Sequence, residues 1–160
     1  MLENLQVPDF EATLTSGKTL KLHQHAGLLV LYFYPKDNTP GCTDEGLQFR
    51  DLHAEFKAIG CDIIGVSRDS LRSHESFKAK MSFPFELLSD EDERVCQMFG
   101  VIKMKNMYGK QVRGIERSTF LIDGRHAVRR EWRGVKVAGH AAQVLDAARS
   151  ASAPRPTSTQ

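Results

Sequence analysis

An apolar run that stops at a proline and leads into a cysteine constrains this chain more than any other feature. Residues 27–34 are almost entirely apolar, and their number suits a strand that is buried on both faces. Pro35 ends the run, a short loop follows with Pro40 and Gly41, and Cys42 then opens a predicted helix over residues 43–59. Unpaired backbone N–H groups and the positive end of the helix dipole converge there, so the thiol should ionise more readily than an ordinary cysteine. The pattern therefore predicts a reactive thiolate.

Strand and helix patterns alternate along the rest of the chain, which is typical of an α/β layered domain, although several topologies satisfy it. We predict one domain over residues 1–150 and a disordered tail over residues 151–160, where serine, proline and threonine dominate. Ser70 is a candidate N-cap for the helix that follows it. The predicted strands are two short ones flanking a turn at 16–18, then 27–34, 61–67, 118–123 and 127–132, and the predicted helices are 43–59, 71–81, 91–99 and 138–149.

Composition narrows the possible functions. The 160 residues carry a formal net charge of +2, which favours neither nucleic acid nor membrane as a partner. No apolar stretch approaches the length of a membrane span, and the N-terminus lacks the pattern of a secretory signal. The three widely separated cysteines make neither a disulfide framework nor a metal-binding pattern. We therefore expect a cytoplasmic protein that needs no cofactor and no metal.

The residues around the cysteine resemble a known active-site motif. Pro35, Thr39 and Cys42 have the spacing P-x-x-x-T-x-x-C, which resembles that of the peroxiredoxins, and the string 34–45 is similar to the bacterioferritin-comigratory, or Q-type, branch. The resemblance implies a thioredoxin-like fold, with a central mixed sheet flanked by helices and an N-terminal hairpin. It also implies a thiol-dependent peroxidase that reduces hydrogen peroxide and organic hydroperoxides. Further matching segments are 7–10, 65–70, 88–90 and 117–123.

Peroxide reduction by a thiol needs a thiolate, donors that hold the peroxide, and positive charge for the leaving oxygen. Cys42 is the candidate nucleophile, and the attack converts it to a sulfenic acid. Thr39 lies three residues earlier and offers a hydroxyl that can donate to sulfur or to a peroxide oxygen and can accept from another group. Pro35 stiffens the entry to the loop and, by the resemblance, shields the sulfur. The resemblance also assigns the positive charge to Arg117, through its forked guanidinium.

The chain departs from the family at the residue that would reduce the sulfenic acid internally. Many Q-type enzymes carry a resolving cysteine five residues after the first, where this chain has Leu47, or on the next helix, where residues 76–80 contain none. We therefore expect a one-cysteine mechanism with an external thiol, such as thioredoxin or glutaredoxin with glutathione. Cys96 remains as an internal alternative, and Cys61 is predicted to be a core residue. By the resemblance we also expect a monomer.

Other uses of a reactive cysteine fit the sequence less well. Cys42 lacks the second cysteine of a Cys-x-x-Cys dithiol, and Gln48 stands where a cysteine phosphatase needs an arginine. No histidine partner for a hydrolase is identifiable. A redox sensor or an oxidation-triggered holdase stays open, because either would use the same cysteine without turnover.

For several other polar and sulfur-containing residues the sequence predicts structural roles and no part in the chemistry. Glu45 is predicted to be a partner of the helix dipole, in the first turn of its helix. Met104 and Met107 are predicted to fill gaps in a loop. None of the six histidines has a spacing that indicates a metal ligand.

Overall fold

The apolar run forms the central strand of a five-stranded sheet in the computed structural model of the chain, which describes residues 2–152. All six residues of this strand are buried, which explains why its sequence is apolar without alternation. Among the described residues the elements in chain order are β1 (Glu11–Thr13), β2 (Thr19–Lys21), a 3₁₀ turn (Leu22–Gln24), β3 (Leu28–Phe33), α1 (Pro40–Ala58), β4 (Cys61–Ser67), α2 (Leu71–Met81), β5 (Glu86–Ser89), α3 (Arg94–Met98), β6 (Ile102–Met107), β7 (Lys110–Ile115), β8 (Ser118–Ile122), β9 (Val128–Arg133) and α4 (His140–Ser152).

The central sheet is mixed and has the strand order β5-β4-β3-β8-β9. Strands β3, β4 and β5 are parallel, whereas β8 pairs antiparallel with β3 and β9 pairs antiparallel with β8. Strands β1 and β2 form an antiparallel hairpin at the N-terminus. These features confirm the predicted α/β class, the mixed sheet and the N-terminal hairpin. None of the described helices is long and apolar enough to span a bilayer.

The sheet separates two apolar layers, and the cysteines are divided between them. Side chains of β3 alternate, so that Leu31 contacts one layer and Val30 the other. The layer on the Leu31 side contains Cys96 together with residues of the N-terminal hairpin. The layer on the Val30 side contains Cys42 and Cys61 together with residues of α1 and α4. Cys42 and Cys96 therefore lie on opposite faces of the sheet.

The structure corrects several predicted boundaries. Helix α1 begins at Pro40 rather than at residue 43, because a proline is well tolerated at the first helical position. Helix α3 spans only Arg94–Met98, and α4 continues through Ser152, into the predicted tail; residues 153–160 lie outside the described part of the chain. Ser70 is confirmed as an N-cap, since its side chain accepts a hydrogen bond of 3.1 Å from the Ser73 N–H.

The predicted loop around residues 104–107 is wrong. Strands β6 and β7 form an antiparallel hairpin there, which is not part of the central sheet. Its side chains alternate between basic, apolar and polar types with little periodicity, so the sequence gives no clean strand signal.

Candidate active site

Cys42 lies in the first turn of α1 and is almost completely buried. Thr39 is the N-cap, Pro40 the first helical residue and Cys42 the third. The first intrahelical bond runs from the Thr43 N–H to the Thr39 carbonyl, at 2.9 Å, so the N–H groups before it have no helical carbonyl to bind. The thiol is therefore placed among free donors at the positive end of the helix, as the sequence predicts.

Arg117 brings a fixed positive charge to the sulfur. Its Nη2 donates a hydrogen bond to the Cys42 Sγ at 3.4 Å, and its Nη1 donates to the Glu45 Oε1 at 2.6 Å. Arg117 lies between β7 and β8, and its carbonyl accepts a bond of 3.0 Å from the Val135 N–H. Gly41 leaves room for the guanidinium, because a Cβ at that position would lie 3.2 Å from Nη2. The fork thus contacts the thiol and a carboxylate at once.

Glu45 belongs to the same group of charges, and its predicted role as a dipole partner is wrong. Because α1 begins at Pro40, Glu45 lies beyond the first turn, and its side chain is fully buried against Arg117. Desolvation raises the pKa of Glu45 to about 7, against the opposing effect of the Arg117 charge. The Glu45 Oε2 has no hydrogen-bond partner among the described residues. Near neutral pH this carboxyl therefore holds a proton in part of the molecules, which leaves more of the arginine charge for the sulfur.

Thr39 and Pro35 belong to the loop that leads to the cysteine, at opposite ends of it. The Thr39 hydroxyl donates to the Lys36 carbonyl at 2.8 Å, so it does not donate to the sulfur in this structure. The hydroxyl oxygen keeps lone pairs that can accept a hydrogen bond from another group. Pro35 follows β3 by two residues and is half-buried at the start of the loop.

The loop that leads to Cys42 is anchored through Asp37, which sequence reasoning missed. The Asp37 carboxylate accepts bonds from the Tyr34 hydroxyl at 2.6 Å and from the Ser73 hydroxyl at 2.8 Å, and it contacts the His74 Nδ1 at 2.7 Å. The Asp37 N–H donates to the Asp69 carboxylate at 2.9 Å. These bonds tie the loop to α2 and to the segment between β4 and α2. The separation of 37 residues between Asp37 and His74 explains why no local motif indicates the contact.

Asp37, Asp69 and His74 form a group that could be considered as a metal site. One carboxylate oxygen of each aspartate and one ring nitrogen of the histidine lie within 4.8 Å of one another. Protein groups already donate to both oxygens of Asp37 and to the Oδ2 of Asp69, which accepts from the Asp37 N–H and the Ser67 hydroxyl. We therefore assign this group to anchoring the loop rather than to binding a metal.

The other two cysteines are unreactive because their thiols are buried in the core. All three thiols are free, and Cys61 and Cys96 are completely buried, which confirms the prediction of a core position for Cys61 and places Cys96 in the core as well. Burial raises the pKa of Cys61 to about 12, and burial together with Asp90 raises the pKa of Cys96 well above its ordinary value. Neither thiol is a source of thiolate at neutral pH.

His140 packs under the site as a neutral side chain. Its Nε2 lies 2.8 Å from the Thr119 hydroxyl, on the strand that follows Arg117. Burial and the nearby Arg117 charge lower the pKa of His140 to about 4. The imidazole therefore adds no second positive charge beside the sulfur at neutral pH.

Comparison with known proteins identifies the family to which the chain belongs. The model of the AhpC/TSA family matches residues 4–131. The chain is 58% identical over 140 residues to the peroxiredoxin Bcp of Xanthomonas campestris, covering 87% of this chain and 88% of that protein. This chain is a peroxiredoxin. It is also 48% identical over 141 residues to the peroxiredoxin Bcp of Bacillus subtilis, covering 88% of this chain and 90% of the relative.

Solved structures give the same family and the fold. A structure of the Xanthomonas campestris bacterioferritin comigratory protein, from work on its alkyl peroxide reduction activity, superposes with a TM-score of 0.86 at 54% identity and covers 90% of this peroxiredoxin and 92% of that chain. The thioredoxin-like fold and the Q-type branch are thereby confirmed. The protein is a thiol-dependent peroxidase.

Proposed function

We propose that Cys42 is the nucleophile of this peroxidase and that Arg117, Thr39 and Pro35 form its site. The observation that carries the proposal is the Arg117 Nη2 at 3.4 Å from the Cys42 Sγ, in a site where both groups are largely shielded from water. A charge-assisted bond of this kind is stronger away from water, because the surrounding dielectric is lower. Alkyl peroxides and hydrogen peroxide are the proposed substrates.

The reaction is a displacement at a peroxide oxygen. The Cys42 thiolate attacks one oxygen, the O–O bond breaks, and the other oxygen leaves as an alcohol or water after it takes up a proton. Arg117 stabilises the negative charge on the leaving oxygen, and the free N–H groups of the first helical turn hold the oxygen under attack. Thr39 accepts the hydrogen bond of the hydroperoxide O–H, while its own O–H donates to the Lys36 carbonyl.

We further propose that an external thiol reduces the sulfenic acid. Cys96 lies on the opposite face of the sheet from Cys42. Cys61 pairs with Leu28, at the end of β3 that is far from the Cys42 loop. Five rises of about 3.3 Å put about 17 Å between the two ends of that strand, whereas two cysteines form a disulfide only when their Cα atoms lie within about 7 Å. Neither core cysteine reaches the sulfenic acid while the domain is folded.

The cellular location and the electron donor that we propose are consistent with this one-cysteine chemistry. Free cysteines that do not pair with one another suit a reducing compartment, which supports a cytoplasmic location. We propose that the enzyme acts as a monomer and draws electrons from thioredoxin or from glutaredoxin with glutathione.

Peroxide consumption by single cysteine variants tests this function. Cys42→Ser should abolish turnover with dithiothreitol as the reductant, because a neutral hydroxyl is a far poorer nucleophile than a thiolate. Cys61→Ser serves as the matched control and should turn over like the parent. Substantial peroxidase activity in Cys42→Ser would refute the assignment, and a parent protein that reacts only once would instead favour a redox sensor.

A further inference from the structure

The hairpin formed by β6 and β7, residues 102–115 and hereafter the arm, exposes most of the protein's large apolar surface side chains. Among the described residues only five large apolar side chains are exposed, and one of them, Leu5, lies elsewhere. The other four lie on the arm: Met104 is 59% exposed, Met107 49%, Tyr108 100% and Val112 41%. An apolar group of this kind on a hairpin outside the main sheet indicates a surface that binds something.

The arm also carries positive charge without any negative charge. Its 14 residues include Lys103, Lys105, Lys110 and Arg113 and no aspartate or glutamate, so the remainder of the chain has 18 basic against 20 acidic residues. Arg113 forms an ion pair with Glu93, and the Lys105 ammonium donates to the Ile115 carbonyl at 2.6 Å. Lys103 and Lys110 are exposed. A partner that covers the apolar side chains would therefore meet lysines around them, which selects an acidic partner.

The tip of the arm holds a tyrosine that folding does not require. Tyr108 and Gly109 form the two-residue turn, with φ of 53° and 78°, and a non-glycine residue is disfavoured at such an angle. Asparagine is the residue that fits this turn best before a glycine. Tyr108 is completely exposed, so packing within the chain does not compensate for the unfavourable backbone.

The arm joins the chain next to the active site. Its last residue, Ile115, precedes Arg117 by two positions, and Arg117 contacts the Cys42 sulfur. Arg113 is bound to Glu93, which lines an open surface cavity of about 310 Å³ together with Pro35 and Lys36 of the catalytic loop. Met104 is paired directly with Arg113 across the hairpin, so the two side chains lie on the same face.

We propose that the arm is the docking surface for the protein thiol that reduces Cys42, and that this partner is a small acidic dithiol protein of the thioredoxin type. The inference rests on the external reduction proposed above. Cys42 is only 1% exposed, so a protein thiol needs a defined approach to the sulfur. One thiolate of the partner attacks the sulfenic sulfur and releases water, which gives a mixed disulfide. Its second thiol then breaks that disulfide, so that the partner leaves oxidised and Cys42 regains its thiol.

Steady-state kinetics with two reductants test the docking. The probe is an acidic bacterial thioredoxin with its reductase and NADPH, compared with dithiothreitol, which needs no docking surface. Tyr108→Asn should raise the KM for thioredoxin about tenfold, because exposed tyrosines dominate the energetics of such contacts. The same variant should leave dithiothreitol-dependent turnover within about twofold and should be at least as stable as the parent, since asparagine suits the turn.

Charge reversal on the arm gives an independent test. Lys103→Glu combined with Lys110→Glu should also raise the KM for thioredoxin and should weaken its dependence on ionic strength. The matched controls are Lys80→Glu, an exposed lysine on α2, and Leu5→Ala, the exposed apolar residue elsewhere; both should behave like the parent.

Three outcomes would overturn the docking proposal. An unchanged KM for thioredoxin in both arm variants would remove the arm from the approach of the partner. A parent that turns over with dithiothreitol but not with thioredoxin would exclude this class of partner. A concentration-dependent dimer, seen by sedimentation and lost in Tyr108→Asn, would assign the arm to a second copy of the chain. A parent that fails with dithiothreitol would instead refute the peroxidase mechanism itself, so the two failures are distinguishable.

Discussion

Replacing Glu45 by glutamine tests the charge balance of the site through the stability of the protein. Burial raises the pKa of Glu45 from its ordinary value of 4.5 to about 7 in the folded state. The folded protein then holds a proton that the unfolded chain releases, so this residue contributes stability at low pH that is lost as the pH rises from 4.5 to 7. A difference of about 2.5 pKa units corresponds to about 3 kcal/mol of unfolding free energy.

His140 opposes this trend and has to be separated from it. Burial lowers the pKa of His140 from 6.5 to about 4, so the unfolded chain binds the additional proton and stability rises with pH over that range. The two effects largely cancel in the parent protein between pH 4.5 and 6.5. The difference between the unfolding free energies of the parent and Glu45→Gln isolates the carboxyl, because His140 is common to both proteins.

The assay is urea unfolding of both proteins at pH values from 4.5 to 8. The parent should lose about 3 kcal/mol relative to Glu45→Gln between pH 4.5 and 7, with no further change above pH 8. Asp44→Asn, which removes the exposed carboxyl next to Glu45, is measured in parallel as the control. A flat difference curve for Glu45→Gln would show that Glu45 is ionised throughout and that the arginine charge is shared equally with it.

Substitutions at four further positions test the site and the proposed mechanism by peroxide consumption with dithiothreitol. Thr39→Val should lose about 10²–10³ in rate and Thr39→Ser should keep most of it, and equal activity of the two would remove the hydroxyl from the mechanism. Arg117→Lys should fall by a similar factor despite its charge, because one ammonium lacks the planar fork; parental turnover would contradict that role. Gly41→Ala should lose about tenfold by displacing the guanidinium, and an unchanged rate would show that Arg117 has room to move. Cys96→Ser should leave turnover unchanged with dithiothreitol and also with thioredoxin, whereas loss of the thioredoxin-linked turnover alone would identify a resolving cysteine.

Local patterns predict the fold well where burial or capping controls them. The central strand follows from an unbroken apolar run, and α2 follows from Ser70 and helical spacing. The arm escapes prediction because its strands bury few of their side chains, so neither face is marked by an apolar stripe. The start of α1 is missed because two residues usually found in loops, Pro40 and Gly41, form its first turn.

The site is only partly predictable from the sequence, because its contacts join residues that are far apart in the chain or depend on how the loop folds. The motif indicates Cys42 and Thr39 from nearby residues, but the partner of Arg117 depends on a contact between residues 72 positions apart. The burial of Glu45, and with it the raised pKa, follows from the packing of α1 against the sheet rather than from any local sequence signal. The direction of the Thr39 hydroxyl depends on the fold of the loop, which points its O–H at the Lys36 carbonyl.

The most direct test of the one-cysteine mechanism is the fate of Cys42 after one equivalent of peroxide in the absence of reductant. The reacted protein is treated with a reagent that traps sulfenic acids and then analysed by intact and peptide mass spectrometry. We predict a trapped sulfenic acid at Cys42, which further peroxide converts to the sulfinic acid, since no internal thiol reaches it. A stoichiometric disulfide between Cys42 and Cys96 would contradict this mechanism. The two cysteines lie on opposite faces of the sheet, so part of the domain would have to unfold in each cycle for them to meet.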